Sequence, residues 1–170
     1  FGDYNPGGKL PVTFYESTAD LPDFLDYSME NRTYRYFRGT AQYAFGYGLS
    51  YTTFEVGKAK ISKKSMKADG SVTLTVPVEN TGDREGTETI QVYVKALDYD
   101  EASIKDLRGF AKINLKPGEK GKVEIELNGE SFQYYDPSID ELSTKTGRYQ
   151  IFYGTSSLEK DLKTIDFVVK

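Results

Sequence analysis

The sequence predicts an all-β sandwich preceded by an irregular N-terminal extension. Short segments of alternating apolar and polar residues recur from about residue 54 onward, and turn-forming residues separate them at the roughly 8–12-residue spacing typical of a sandwich. No segment resembles a helix longer than a turn or two, and no internal repeat is present. A chain of 170 residues has room for one domain with a core and a substantial extension.

The extension comprises residues 1–53 and is rich in proline, glycine, tyrosine and aspartate. Residues 9–14 (Lys-Leu-Pro-Val-Thr-Phe) predict a short strand, and residues 34–38 (Tyr-Arg-Tyr-Phe-Arg) predict a short aromatic strand. Residues 46–50 contain two glycines and predict irregular structure. A segment of this kind cannot bury a core by itself, so we expect it to pack on something else.

The clearest strand covers residues 72–78, where Val72, Leu74, Val76 and Val78 alternate with polar residues and Pro77. Because proline has no N–H for a ladder, Pro77 predicts an edge position or a bulge. The turn sequence at residues 80–83 follows. Ile90, Val92 and Val94 then share one face of the next strand, and Gln91, Tyr93 and Lys95 share the other.

Four further strands complete the pattern, and a proline-containing turn at residues 116–119 separates the first two of them. They cover residues 110–115, 123–127, 149–153 and 165–169. The alternation predicts ten core residues: Val72, Leu74, Val76, Ile90, Val92, Val94, Ile125, Leu127, Ile151 and Phe167.

Composition excludes several classes of function. The 22 basic and 26 acidic residues are scattered, so no basic run exists to bind nucleic acid. The chain has neither histidine nor cysteine, which excludes Ser-His-Asp and Cys-His hydrolysis, disulfides and thiolate metal sites. No apolar stretch is long enough to span a bilayer, so a membrane is not an expected partner. The chain starts abruptly at Phe1, from which we expect it to be a piece of a longer protein.

Two groups of carboxylates are candidate sites. One group comprises Asp98, Asp100, Glu101 and Asp106, but it lacks the internal glycine of a calcium loop, so a solvated loop is the favoured interpretation. The other group comprises Asp23, Asp26 and Glu30, which could pair as acid and base; a charged surface turn is favoured. We therefore expect no metal, no cofactor and no catalytic residue in this chain.

Aromatic residues are the more informative signal, with 14 tyrosines and 10 phenylalanines. Tyr34, Tyr36, Tyr43, Tyr47 and Tyr51 could form a platform that stacks on sugars, but packing between domains is the favoured interpretation. Tyr134 and Tyr135 are likewise interpreted as packing residues. The predicted interdomain packing residues are Tyr34, Tyr36, Phe37, Phe45, Tyr47, Leu49 and Tyr51.

Several blocks resemble the C-terminal end of family 3 glycoside hydrolases, the β-glucosidases and β-xylosidases. In the extension they are residues 5–14 (Asn-Pro-Gly-Gly-Lys-Leu-Pro-Val-Thr-Phe), 32–37 (Arg-Thr-Tyr-Arg-Tyr-Phe) and 45–54 (Phe-Gly-Tyr-Gly-Leu-Ser-Tyr-Thr-Thr-Phe). In the sandwich they are residues 78–82, 86–88, 91–94, 107–110, 115–119, 135–137, 147 and 154–157. The resemblance covers essentially the whole chain in order.

The resemblance implies a fibronectin type III-like, immunoglobulin-like sandwich at residues 54–170, preceded at residues 1–53 by the end and exit linker of an α/β sandwich domain. It implies a retaining parent enzyme whose two catalytic carboxylates lie upstream of Phe1. The implied role is structural, and the implied partners are the upstream catalytic domains of the same polypeptide. Oligosaccharide is an implied partner of the parent enzyme only. Of the two activities, β-xylosidase is favoured for that parent. The implied location is periplasmic or secreted and soluble.

Two alternatives remain open at this point. The sandwich could instead be a carbohydrate-binding module that holds polysaccharide, although the chain has no tryptophan. An apolar surface left by a missing neighbour could also bury itself in a homodimer of the chain.

Overall fold

The computed structural model describes residues 2–99 and 102–170, and strands make up most of its regular structure. The extension contains a short antiparallel pair, β1 (Phe14–Tyr15) and β2 (Ala41–Tyr43), and a single helical turn, α1 (Thr33–Tyr36). Within the described ranges, no helix is long and apolar enough to cross a membrane.

The rest of the chain forms eleven strands along the described residues. They are β3 (Phe54–Val56), β4 (Lys60–Ile61), β5 (Ser65–Met66), β6 (Ser71–Asn80), β7 (Gly86–Ala96), β8 (Asp106–Leu115), β9 (Lys120–Asn128), β10 (Gln133–Asp136), β11 (Glu141–Thr144), β12 (Gly147–Gly154) and β13 (Leu162–Val169).

Two sheets carry the core. One has the order β5-β13-β12-β7-β8, and in the other β6 pairs with β9 along one side and with β3 and β4 along the opposite side. The strands β10 and β11 form a separate antiparallel hairpin. Buried residues of both sheets belong to one hydrophobic cluster, as a two-layer sandwich requires.

All ten predicted core residues are buried, each at most 5% exposed, so this prediction is confirmed. The register explains why, because Leu74 lies opposite Ile125 in the β6–β9 pair and Ile151 lies opposite Val94 in the β12–β7 pair. Of the aromatic core, sequence analysis predicted Phe167 but missed Phe132 and Tyr149. Phe132 stacks on Phe167 at 5.3 Å and meets Tyr149 edge to face at 5.0 Å.

The six sandwich strands predicted from alternation are present, each somewhat longer than predicted. Both predicted turns are confirmed: residues 81–85 connect β6 to β7, and residues 116–119 connect β8 to β9, with Gly118 at φ +71°. The short strands β3, β4 and β5 and the β10–β11 hairpin were not predicted, because segments this short show little alternation.

Two predicted strands in the extension are wrong. Of residues 9–14 only Phe14 lies in a strand, because Pro11 interrupts the ladder and Leu10 pairs instead with the loop at residues 46–47. Residues 34–38 are not a strand either. Phe37 N–H donates to the Thr33 carbonyl at 2.9 Å and closes the turn α1, so tertiary contacts override the β-propensity of the aromatic residues.

The edge or bulge predicted at Pro77 is also wrong. Pro77 lies inside β6, opposite Lys122 of β9, with no register shift in that pair. Its carbonyl accepts from Gly57 N–H at 2.9 Å, so its nitrogen faces the same side, where the loop between β3 and β4 runs. No ladder bond needs the missing N–H there, which is why a proline is tolerated in a central strand.

Candidate functional site: the interface between the extension and the sandwich

The strand β7 is buried on both faces, although its alternation predicts one buried face. Ile90, Val92 and Val94 face the core as expected, but Gln91 and Tyr93 on the opposite face are also 3% and 0% exposed. The extension covers that opposite face. We call this contact the extension interface; it comprises Lys9, Tyr34, Arg35, Phe45 and Gly46 of the extension with Glu88, Gln91, Tyr93 and Asp106 of β7 and β8.

A buried amide holds the middle of the extension interface. Gln91 Nε2 donates to the carbonyls of Gly46, at 3.0 Å, and of Thr155, at 2.7 Å, while its Oε1 accepts from the Tyr93 hydroxyl at 2.6 Å. A buried side-chain amide left unpaired would cost about 1–3 kcal/mol, so this network fixes where the loop at Gly46 docks.

Three aromatic rings fill the space beside this amide. The Tyr34 ring stacks on Phe45 with centroids 4.2 Å apart, and it meets Tyr93 edge to face at 5.7 Å. The Tyr34 hydroxyl accepts from Leu107 N–H at 2.9 Å. Burial raises the pKa of both Tyr34 and Tyr93 above the usual value, so both phenols stay neutral at physiological pH.

Two sets of ion pairs flank the rings. Lys9 Nζ lies 2.7 Å from Glu88 Oε1, and both side chains are mostly buried. Asp106 is 4% exposed and pairs with Arg35 of α1 and, at 3.3 Å, with Arg108. A buried carboxylate needs such partners, because leaving it unpaired would cost several kcal/mol. These pairs therefore favour one position of the extension on the sheet.

The end of the extension is fixed by Asn80, whose side chain is fully buried. Its Oδ1 accepts from Thr52 Oγ1 at 2.7 Å and from Gly82 N–H at 3.1 Å, and its Nδ2 donates to the carbonyls of Arg84 and Leu115 at 2.7 and 2.9 Å. All four hydrogen-bonding positions of the amide are used. Residue 52 is thereby tied to the turn after β6 and to the end of β8.

The expectation that residues 1–53 pack on the sandwich is thus confirmed, and the seven predicted packing residues divide into three groups. Tyr34 and Phe45 lie in the extension interface, whereas Phe37 meets Tyr15 at 4.7 Å, Tyr36 lies under the Arg35 guanidinium and Tyr47 meets Tyr43. Leu49 and Tyr51 are 73% and 58% exposed. Whether this set packs against a further domain stays a prediction.

The candidate carboxylates do not come together as a site. Asp98 binds Arg148, and these hydrogen bonds hold the pKa of the Asp98 carboxyl below its usual value. Asp106 is held between two arginines, while Asp100 and Glu101 lie outside the described residues. In the part of the chain that the structure describes, no cluster of three or more acidic residues could hold a metal ion.

The other carboxylate group shapes a loop. The Asp23 side chain accepts from Leu25 N–H, and the Asp26 side chain accepts from Ser28 N–H, each at 2.8 Å. The hydrogen bonds from Ser28 lower the pKa of the Asp26 carboxyl, which suits a turn acceptor rather than a proton donor. Glu30 is exposed.

Sequence analysis missed the most exposed apolar surface of the described chain. Residues 21–29, which we call the apolar loop, present Phe24, Tyr27 and Leu25 with 89%, 88% and 74% of their surface exposed. In the sequence, large apolar residues are interspersed with aspartates here, a feature that a charged surface turn does not explain.

The apolar loop is held in one conformation by Arg32. Its guanidinium donates to the carbonyls of Ser28, at 2.9 Å, of Asp23, at 3.4 Å, and of Asp26. Together with the two aspartate turns, these bonds fix the backbone while three large side chains point to solvent. Such a fixed, exposed apolar surface is typical of an interaction site.

Comparisons with known proteins match both regions. Residues 1–51 match the family described as "Glycosyl hydrolase family 3 C-terminal domain", and residues 88–157 match "Fibronectin type III-like domain". The chain is 50% identical over 97% of its length to a xylan 1,4-beta-xylosidase of Xylanibacter ruminicola, and 38% identical over 92% to a periplasmic beta-glucosidase of Salmonella typhimurium. It covers 19% and 22% of those relatives.

Solved structures of beta-glucosidases contain a region with the same fold as this chain. A beta-glucosidase from Streptomyces venezuelae superposes with a TM-score of 0.85 at 28% identity, and one from Erythrobacter marinus with 0.82 at 33%. These matches cover 99% and 100% of this chain, and 24% and 22% of the solved chains. The chain therefore spans about a fifth to a quarter of the length of the proteins it matches.

Proposed function

Because the chain belongs to the C-terminal part of glycoside hydrolase family 3, we propose that it is a non-catalytic, structural region of a retaining β-glycosidase. Its role in this proposal is to hold the extension, and through it the rest of the enzyme, on the sandwich. The relatives named as a xylosidase and as glucosidases support a β-xylosidase or β-glucosidase activity for the whole enzyme, and the 50% identity to the former favours the xylosidase.

The observation that carries this proposal is that the extension combines a fastened part with an exposed apolar part. The fastened part is held on β7 and β8 by the Gln91 amide, the Tyr34–Phe45 stack and the Asp106 ion pairs. The exposed part is the apolar loop, in which Phe24 is 89% exposed. A segment with both a fastened part and an exposed apolar part is suited to connect two bodies.

The preceding domains of a longer polypeptide are the proposed occupant of the apolar loop. The relatives are four to five times as long as this chain, so they contain further domains against which the loop can pack. We propose the same partner for Leu49 and Tyr51, which are exposed at the end of the extension. Domains joined in one chain commonly bury polar and apolar surface of this kind.

We propose a boundary near residue 53, with residues 54–170 as an immunoglobulin-like fibronectin type III domain. The tie between Thr52 and Asn80 supports this position, since it marks the point where the chain passes from the extension interface into β3. The proposed location of the enzyme is periplasmic or secreted, in keeping with the Salmonella typhimurium relative described as periplasmic.

The apolar loop offers a direct test. In the 170-residue chain, the double substitution Phe24→Ser with Tyr27→Ser should leave the thermal midpoint unchanged, because both side chains are almost fully exposed. In the longer enzyme the same pair should lower the midpoint by several degrees and reduce activity, because each buried ring contributes about 1.5–3 kcal/mol.

The matched control is Ile139→Ser with Leu142→Ser on the β10–β11 hairpin, where both side chains are also more than half exposed. That pair should be neutral in the chain and in the longer enzyme. A neutral effect of the Phe24/Tyr27 pair in the longer enzyme would contradict the proposal. A chain that dimerises through this loop, shown by sedimentation, would instead identify a second copy as the occupant.

The 170-residue chain should have no glycosidase activity of its own. The carboxylates at the extension interface are each engaged by a basic side chain, as Glu88 is by Lys9 and Asp106 is by Arg35. Double displacement needs two free carboxyl groups facing one sugar. Purified chain is expected to release no nitrophenol from nitrophenyl xyloside or glucoside. Turnover that one Asp or Glu substitution abolishes would overturn this prediction.

A pull-down on cellulose and on insoluble xylan freed of uronic acid side groups separates the structural role from a carbohydrate-binding module. Among the five tyrosines of the possible sugar platform, Tyr34 lies inside the extension interface and Tyr43 packs between Phe14 and Tyr47. We expect the chain to remain in solution with either polymer. Retention that is lost in a Tyr43→Ala or Tyr51→Ala variant would favour the binding module.

A further inference from the structure

A cleft of about 630 Å³ lies beside the extension interface and is not used by the proposed structural role. Its walls come from residues 37–41 of the extension, from residues 104–105 before β8 and from residues 157–160 after β12. This volume is in the range of sites that bind small molecules. The lining combines the rings of Tyr34 and Phe37 with the hydroxyls of Thr13, Thr40 and Ser157.

Lys105 is the unusual residue of this cleft. It is only 6% exposed, and its ammonium lies 5.9 Å from the centroid of the Phe152 ring. It forms no ion pair or hydrogen bond with any residue that the structure describes. Burial lowers the pKa of Lys105, which reflects the unfavourable removal of its charge from water.

The backbone on both sides of Lys105 is fixed, which sets the position from which its side chain enters the cleft. Ile104 N–H donates to the Arg35 carbonyl at 2.7 Å, and Asp106 begins β8 in its pairs with Arg35 and Arg108. The buried lysine is therefore built into the junction between the extension and the sheet. A buried charge without a direct ion pair or hydrogen bond is often found at binding sites.

The charges around Lys105 favour an anion. The cleft is lined by four basic side chains, Arg38, Lys95, Lys105 and Lys160, and among its described lining residues the only carboxylate is that of Glu159. The chain as a whole has a net charge of -4, so this cleft is a local exception. Thr13 Oγ1 on the same wall is buried and has no hydrogen-bond partner within the described chain.

We propose that this cleft binds a small, ring-sized ligand that carries a carboxylate, such as a hexuronic acid, with the carboxylate at Lys105 and the ring hydroxyls at Thr13, Thr40 and Ser157. The basic side chains select the charge, and the Phe37 ring adds apolar surface to the same cleft. This site goes beyond the structural role and does not depend on it.

Calorimetric titration of the 170-residue chain with glucuronate, glucose and acetate at low ionic strength tests the proposal. Glucuronate should bind, and glucose should bind about tenfold more weakly or not at all, because it lacks the charge. Acetate should also be weaker, because it lacks the ring. Added salt should weaken glucuronate binding, as expected for a charged contact.

Two variants identify the residue responsible. Lys105→Met should weaken glucuronate binding by about tenfold or more while the thermal midpoint of the free chain stays equal or rises, because a buried charge is removed. Lys112→Met removes an exposed charge on β8, outside the cleft, and should bind glucuronate like the original chain. Equal binding of glucose and glucuronate, equal binding of acetate and glucuronate, or unchanged affinity in Lys105→Met would each overturn the proposal.

Discussion

Replacing Leu74 by alanine is expected to lower the free energy of unfolding by about 2–4 kcal/mol, as found for large-to-small substitutions in well-packed cores. The Leu74 side chain is fully buried in the middle of β6, where it lies opposite Ile125 of β9 and Ile61 of β4. Strands on both sides of β6 prevent the backbone from collapsing into the space that alanine would leave. The cost therefore includes both lost burial and a cavity.

Urea denaturation measures the change in the free energy of unfolding. Because the chain has no tryptophan, the transition is followed by tyrosine fluorescence or far-UV circular dichroism. The midpoint should fall while the slope of the transition stays the same. Thr73→Ala on the same strand is the matched control, because Thr73 points to the other face and is only half-buried. A Leu74→Ala midpoint equal to that of the original chain would show that the face assignment of β6 is wrong.

The sandwich could be predicted because the pattern that specifies each strand lies within a few consecutive residues. A period-2 pattern in residues 72–78 and 90–94 specifies which face is buried, and all ten core residues derived from such patterns are buried. Proline and glycine marked the turn at residues 116–119 for equally local reasons. The prediction at Pro77 is wrong because the lack of a ladder bond at its nitrogen is not a local property. It depends on the gap between the β3–β6 pair and the β4–β6 pair, which Pro77 faces.

The extension interface could not be predicted because its contacts join distant parts of the chain. The hydrogen bond from Gln91 to Gly46 spans 45 residues, and the pair between Arg35 and Asp106 spans 71. Sequence analysis correctly expected the extension to pack on the sandwich through some of its rings, but alternation alone left the outer face of β7 polar. Nothing local distinguishes Tyr34, which is buried there, from Tyr27, which is 88% exposed.

The same reasoning applies to the cleft. Lysine is a surface residue by default, and the sequence around Lys105 contains no motif that would single it out. Its burial follows from the docking of α1, whose Arg35 carbonyl accepts from Ile104 N–H. The cleft thus exists only because the extension is fastened to the sandwich. Detachment of the extension from the sandwich should therefore affect more of the molecule than any single local change.

The substitution Gly46→Ala is expected to detach the extension from the sandwich. Gly46 adopts φ +78°, where a residue with a side chain is strained by about 1–2 kcal/mol. The added Cβ would also collide with Oε1 of Gln91, whose amide is held by Gly46, Thr155 and Tyr93. Displacing this buried amide would cost a further 1–3 kcal/mol or so.

Hydrogen exchange and limited chymotryptic digestion measure the detachment. Exchange should accelerate at residues 5–52 and digestion at Phe24 and Tyr27 should become faster, while β6 and β12 stay protected. Two glycines separate the causes. A Cβ added at Gly8 would meet no neighbouring atom, so Gly8→Ala should be neutral. A Cβ added at Gly118 would also meet no atom, but Gly118 adopts φ +71°, so Gly118→Ala should show the cost of backbone strain without a collision.

Removing the Gln91 side chain completes the test. In the Gly46→Ala background, Gln91→Ala abolishes the collision, so the two substitutions together should cost less than the sum of their separate effects. This non-additivity is expected because both changes act on one hydrogen-bonded contact between the extension and β7. Additive effects, or a Gly46→Ala chain whose residues 5–52 exchange at the original rate, would show that the Gln91 amide does not hold the extension in place.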